Sequence, residues 1–468
     1  MFITQRSVPL GAARRKPFLT SACIHPTRDR DSGGVIASVI TIAADAARAD
    51  LLALFTEAVR AVSPAMAMPA HIPVSPHGRT VVIAVGKGAA EMMRVAQTRA
   101  KGIEGLVVTR HGHLPAAGAH WPGVLVIEAG HPYPDENSVR AAHRALDLAR
   151  GLEAGDRLLV LLSGGGSALL AAPADGLDLA DKQAVTRALL QSGATIEEIN
   201  RVRKHLSLIK GGRLAVAAGH AAVTTWIISD VPGDDPSFVS SGPTVADTSS
   251  LAMAREIVAR YGLDAPASVA RALADPVNET PAPDSLGLAG AETIVIARAR
   301  DALAAASRLA RERGYQVTDL GDQLQAEARH LGASHAALSR RLARDGARRA
   351  IISGGETTVT VVNKAGRGGR NLEYCLGLTI ALDGAAGIWA LACDTDGIDG
   401  TEDAAGAIVT PTTIARALAA GLDPLRHLAE NNAYLFFERL GDLVVTGPTL
   451  TNVNDFRAIL IDASVRKG

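Results

Sequence analysis

From Val35 onward, short runs rich in Val and Ile alternate with longer Ala/Leu/Arg stretches of helical period. That alternation restricts the fold more than any single motif does. Apolar runs of this kind suit strands buried on both faces, and the stretches between them are long enough to form crossover helices. The pattern therefore predicts an α/β protein built on a largely parallel sheet. Strands are expected at 80–85, 105–109, 124–128, 157–162 and 224–228, with helices at 138–150 and 181–191 between them. Around 275–286 the chain turns into Pro-containing, weakly apolar sequence (DPVNETPAPDSL), which reads as a linker with a boundary near 284. Beyond it, strands are expected at 292–296, 350–352, 357–362, 388–393 and 443–445. The pair 350–352 and 357–362, joined only by Ser353-Gly354-Gly355-Glu356, predicts a hairpin and hence a mixed sheet in a smaller second α/β domain. The expected division is an extension at 1–33, a first domain at 34–283 and a second at 284–468.

Composition narrows the class of partner. The 48 basic and 48 acidic residues cancel, which removes the electrostatic footprint expected of a nucleic-acid or membrane-surface binder. Aromatic residues make up only 3%, leaving few platforms on which bases could stack. A small-molecule substrate is the better default; a homodimer is left open, since the sequence does not set the oligomeric state. Cys23, Cys375 and Cys393 form neither a disulfide framework nor a metal-ligand spacing, so a reducing, cytoplasmic setting is expected. No apolar stretch reaches the roughly 18 residues of a membrane span. Residues 1–34 are Arg-rich and lack an acid before Asp29; they read as a loose, dispensable extension or the product of a start codon placed too early, with an organellar transit peptide as the alternative.

Several loops at predicted strand ends carry chemistry-bearing residues. Ser163-Gly164-Gly165-Gly166-Ser167 follows a buried run and precedes an apparent helix start, where converging backbone N–H groups could hold an anion. It lacks the Lys-Ser/Thr of a Walker A loop, and a bare βα turn is the alternative. Lys87 sits between Gly86 and Gly88 after the first strand, either as a catalytic cation or as a solvated loop lysine. A dinucleotide fingerprint fails here, because Glu91 takes the third glycine position and the next strand ends at Arg110 rather than at an acid. Arg370, with Arg367, precedes a clear helix. A cation there opposes the helix dipole, so either a shared anionic ligand or an ion pair from Arg370 to Glu373 must offset it. Asp394, Asp396, Asp399, Glu402 and Asp403 fail the EF-hand pattern, with Ile398 and Asp399 in disallowed positions. They could orient a hydroxyl or Mg²⁺, or form a solvated acidic turn; Asp230, beyond another strand, poses the same choice. His111, His113 and His131 match no zinc spacing and read as structural. In GHPYPDENS, Asp135 or Ser138 should cap the next helix.

Taken in order, AVGKGAAEM, AGHPYPDENS, SGGGSALL, INRVRKHLSLIKGGRLA, ISDVPGDDPSFVSSGPT, SGGETTVTV, GRGGRNLEY, ACDTDGIDG and TGPTLTNVND closely resemble the glycerate 2-kinases that carry a MOFRL domain. The resemblance implies a Rossmann-like, doubly wound first domain and a smaller second domain containing the MOFRL region at about 346–460. It also implies transfer of a phosphoryl group from ATP, with Mg²⁺, to the 2-hydroxyl of D-glycerate in the cleft between the domains. Lys87 and Arg370 match the family's catalytic positions. Ser163, Gly164, Gly165, Gly166, Ser167, Arg203, Lys210, Gly354, Glu356 and Asn371 fall in motifs for nucleotide, phosphate or substrate binding. Asp230, Asp394 and Asp396 are the candidates for placing metal or hydroxyl. At IARARDAL the chain departs from the family pattern, with Arg298-Ala299 where small or amide residues are usual. Two other functions stay open: an NAD(P)H-dependent hydroxypyruvate reductase, a label often given to this family but opposed by the failed fingerprint, and a non-catalytic metabolite-binding regulator.

Overall fold

The computed structural model describes residues 32–115 and 121–462. The expected extension at 1–33 lies outside the described residues except for its last two, which begin the helix Ser32–Ala61. Among the described residues, twelve strands form two six-stranded sheets. The first contains β1 (Thr80–Val85), β2 (Ile103–Arg110), β3 (Val124–Ala129), β4 (Arg157–Leu162), β5 (Ala222–Ile228) and β6 (Glu292–Ala297). All of its pairings are parallel, and the order is β3-β2-β1-β4-β5-β6. This is the doubly wound order in which connections diverge between β1 and β4, leaving a crevice beyond their carboxyl ends. The apolar runs explain why: every residue of β1 is buried, as is all of β4 after Arg157.

The second sheet contains β7 (Gln316–Asp319), β8 (Arg349–Ser353), β9 (Ile388–Asp394), β10 (Gly406–Val409), β11 (Leu443–Val444) and β12 (Asp455–Ile461). Its order is β11-β10-β9-β12-β8-β7, and only β7 and β8 pair in parallel. A mixed second sheet is thus present, but not for the expected reason. No hairpin joins 350–352 to 357–362. β8 is already paired on both sides, by β12 and β7, so the following segment turns away and makes only isolated bridges from Gly355 and Thr358 to Leu324 and Glu327. A further difference concerns Glu292–Ala297, expected to open the second half. It pairs with β5 as the edge of the first sheet, so a division at 283/284 would cut that sheet.

One apolar core joins the halves. It takes Val82, Ala84, Leu159 and Leu161 from the first sheet, and Ile352, Leu391, Phe456 and Ala458 from the second. Between them lie the helices Ser32–Ala61 and Ala299–Glu312, contributing Leu51, Leu54, Phe55, Leu303 and Ala306. Phe55 and Phe456 meet ring to ring at 5.9 Å. The outer face of each sheet has its own cover, with the helix Glu136–Arg150 on the first and Arg370–Leu382 on the second. The former starts as the sequence suggests, since Asp135 accepts from the Ser138 amide at 2.9 Å in a capping box. No helix among the described residues is long and apolar enough to cross a membrane.

Candidate active site

Because β1 and β4 are neighbours, their exit loops are hydrogen-bonded to each other. The Lys87 amide donates to the Gly164 carbonyl at 2.9 Å, and the Gly88 amide to Ser163 Oγ at 2.9 Å. Asp230 follows β5, next in the sheet. Gly164 is glycine for a steric reason, since a Cβ there would overlap Asp230 Oδ2 and Asn452 Nδ2. The second sheet supplies the opposite wall. Asp394 ends β9, Asp455 begins the antiparallel β12, Glu356 follows β8, and Arg370 opens the helix Arg370–Leu382.

These elements enclose a cavity of about 550 Å³ that both Lys87 and Arg370 line. The Lys87 ammonium pairs with Asp396, and neither is a solvated loop residue, with side chains 13% and 1% exposed. Burial alone would pull the Lys87 pKa down, but Asp396, Asp394 and Asp230 outweigh it and hold the pKa above its ordinary value. Arg370 uses its whole guanidinium: Nε donates to Asp455 at 2.7 Å, and the terminal nitrogens to Glu356 at 2.7 Å and Asp394 at 2.9 Å. Its pKa is raised, the three carboxylates overcoming the cost of burial. The local ion pair with Glu373 does not form, because Glu373 binds Arg329 at 2.6 Å.

Most of the acidic loop is not a solvated turn either. Asp394, Asp396 and Asp399 are buried, and only Glu402 and Asp403 lie towards the surface, on Arg367 and Tyr434. Asp399 caps the Arg370 helix, accepting from the amides of Asn371 at 3.1 Å and Leu372 at 2.8 Å, and burial pushes its pKa up to about 7. Burial, reinforced by Asp396, pushes Asp394 up to about 6 against the pull of Arg370 and Lys87. Asp230 differs from both. Its side chain accepts from the amide of Asn452 at 2.9 Å and has no direct cationic partner among the described residues, while its own carbonyl accepts from Asn454. Burial holds its pKa up at about 6, although Lys87 pulls it down. A half-buried carboxylate at a cavity wall, near but not bonded to a cation, is suited to accepting a proton near neutral pH.

The remaining sequence candidates divide. Glu356 and Gly165 line the cavity, whereas Ser163, Gly166 and Gly354 lie behind it as framework. Asn371 is fully buried and donates to Asp455 at 2.8 Å. Ser167, Arg203 and Lys210 line a second cavity of about 300 Å³. Arg298 turns aside to Asp234 and borders neither cavity. Sequence reasoning passed over Asp455, Asn452, Asn454, Lys182 and His131. His131, read as structural, borders both cavities, and burial with the nearby Lys87 and Arg110 lowers its pKa to about 3. Its position after the end of β3 was the available signal.

Residues 50–274 match a domain family described as of unknown function (DUF4147), and 349–455 match the MOFRL family. A D-glycerate 2-kinase of Thermotoga maritima is 39% identical over 85% of this chain and 94% of its own length. The chain belongs to the glycerate 2-kinase family with a MOFRL domain. Among other family members, a protein of Agrobacterium vitis named provisionally as a hydroxypyruvate reductase is 49% identical over 89% of this chain and 94% of its own. The crystal structure of glycerate kinase from Thermotoga maritima covers 89% of this chain and 100% of that one, with a TM-score of 0.79 and 37% identity. The α/β fold of this chain, with one parallel and one mixed sheet, is similar to that structure.

Proposed function

We propose that this family member transfers the terminal phosphoryl group of ATP to the 2-hydroxyl of D-glycerate, giving 2-phosphoglycerate and ADP in the cavity between the two sheets. The observation that carries the reading is the presence of Lys87 and Arg370, from different sheets, on the walls of one cavity with Asp230 beside them. Phosphoryl transfer asks for positioning and charge stabilisation more than covalent chemistry. The 2-oxygen attacks the terminal phosphorus and the bond to the bridging oxygen breaks. ADP leaves with that electron pair, and Asp230 takes the hydroxyl proton. Lys87 and Arg370 face the charge that spreads over the phosphoryl oxygens, each held in place by carboxylates before substrate arrives. The Ser163–Ser167 loop contributes small residues that let phosphates approach the backbone.

Among the described residues no group of three metal-ligating side chains converges. Asp394 and Asp396 are engaged by Arg370 and Lys87, so Mg²⁺ would come as a companion of the nucleotide phosphates, with Asp394 the residue that would hold it and Asp230 kept for the hydroxyl. There it would neutralise phosphate charge. The test is an ADP-release assay with D-glycerate, followed by ³¹P and ¹³C NMR of the product. Phosphate on carbon 2 is expected. Phosphate on carbon 3 would refute the regiochemistry, and oxidation of NAD(P)H by hydroxypyruvate without ADP release would replace the kinase with the reductase named for the Agrobacterium relative.

A further inference from the structure

The two cavities share His131, Pro132 and Gly165, so they adjoin across one thin wall, yet their charges are balanced differently. In the larger, the lining cations Lys87, Arg110, Lys364 and Arg370 are matched by Asp230, Glu356, Glu373 and Asp394. In the smaller, Lys182, Arg203 and Lys210 line the wall with no Asp or Glu among the lining residues. Lys182 donates to the Leu206 carbonyl at 3.0 Å, and Lys210 to the Ser167 carbonyl at 2.8 Å and to Ser167 Oγ at 3.3 Å. Carbonyls and hydroxyls orient these ammonium groups without neutralising them. Arg203 has no hydrogen-bond or ion-pair partner among the described residues, and burial alone lowers its pKa. Burial, with Arg203 and Arg213 nearby, brings Lys182 down to about 7, and burial with Arg203 and Lys182 nearby brings Lys210 well below its ordinary value. Uncompensated cations in a cavity are costly, and two buried lysines with the half-buried Arg203 beside them fit a ligand that brings several negative charges.

We infer that the smaller cavity seats the non-transferred phosphates of the nucleoside triphosphate on Lys182, Arg203 and Lys210, with the terminal phosphate reaching Lys87 across Gly165. This rests on the kinase reading. A polyphosphate matches three cations, whereas the single carboxylate of an acid substrate matches one, and the planar fork of Arg203 suits two phosphate oxygens at once. Gly165 keeps the wall thin: a Cβ there would stand 3.1 Å from the His131 ring and 3.6 Å from Lys87 Cγ.

The test uses the full chain with Arg203→Gln, a partly exposed position, and Lys182→Met as a second variant of near-equal volume. Steady-state KM for ATP and for glycerate is measured, together with calorimetric titration of inorganic tripolyphosphate. Each variant should raise the ATP KM and weaken tripolyphosphate binding by on the order of tenfold or more, the scale of a lost charged hydrogen bond, while the glycerate KM stays within about twofold. Unchanged ATP KM and tripolyphosphate affinity would overturn the assignment. So would a rise confined to the glycerate KM, which would place the acid's carboxylate there. If the unmodified protein releases no ADP with any acid acceptor, the kinase reading fails, but the tripolyphosphate titration still reports whether this cavity binds a polyphosphate through Arg203.

Discussion

Replacing Arg370 by lysine keeps the charge and removes the fork, so it separates charge from geometry. In the structure the guanidinium spans Asp455, Glu356 and Asp394 at 2.7, 2.7 and 2.9 Å, and a single ammonium cannot span all three. Asp455 would still be held by Asn371 and Arg457, and Glu356, with its side chain 46% exposed, would rehydrate. The loss therefore falls on Asp394, whose side chain is 6% exposed and which otherwise accepts from the Asp396 amide at 3.0 Å. One charged hydrogen bond contributes about 1.5–3 kcal/mol, so the variant should fold with reduced stability. Its kinetic loss should be larger. A misplaced preorganised donor costs about 2.7–4 kcal/mol of transition-state stabilisation, or roughly 100- to 1000-fold in kcat. The assay is steady-state ADP release with both KM values, alongside thermal denaturation. A kcat within about fivefold of wild type, or a loss confined to KM, would refute the argument that the fork acts on the transferring group.

Lys87→Met should lower kcat by on the order of a hundredfold or more in the same assay, with a native circular dichroism spectrum, since Lys87 serves charge rather than packing. Asp230 must be ionised to take a proton, so kcat/KM should fall as pH drops through about 6, and Asp230→Asn should flatten that limb in a pH–rate profile. Folding favours the protonated form of Asp230. Its contribution to stability is therefore present below the ordinary value of 3.8 and lost as pH rises through about 6, so Asp230→Asn should gain more in Tm over wild type at pH 8 than at pH 5. Gly164→Ala should abolish most activity and lower Tm, because the new methyl overlaps Asp230 and Asn452; a wild-type Tm would show that the loop yields freely.

What could be read in advance follows from which signals are local. Strands buried on both faces announce themselves as apolar runs, so β1, β4, β5 and β9 were legible, and with them Lys87, Asp230 and Asp394 at their ends. Arg370 was legible as a cation misplaced at a helix start, but its partners Asp455 and Asp394 come from strands distant in sequence. The choice between a ligand and Glu373 could not be made locally. β6 was assigned to the wrong half because a Pro-rich stretch resembles a linker whether or not the chain returns to the same sheet. Asn452, Asn454 and Asp455 sit in a polar loop with no periodicity, and only the pairing of β12 between β8 and β9 brings them to the site. Lys182 reads as the polar face of a helix until the neighbouring Arg203 and Lys210 are seen.

The helix Ser32–Ala61 has a consequence for how the molecule can be assembled. Although it precedes the first sheet, it lies against β9, β12 and the helix Ala299–Glu312. Asp50 binds Arg313 and, at 2.7 Å, the Tyr315 hydroxyl; Arg48 reaches Asp442 at 3.2 Å; and Thr451 donates to the Val62 carbonyl at 2.8 Å. The chain thus leaves the second half, builds the first, and comes back. A ribosome would release this helix some 400 residues before Asp442 and Phe456 exist to receive it. The second half is therefore not a contiguous stretch of polypeptide that could be excised whole, and any rocking of one half against the other must bend two backbone crossings together. Among the described strands β12 is made last; it both completes the cover over the first helix and delivers Asp455 to Arg370, so the two are joined through one strand.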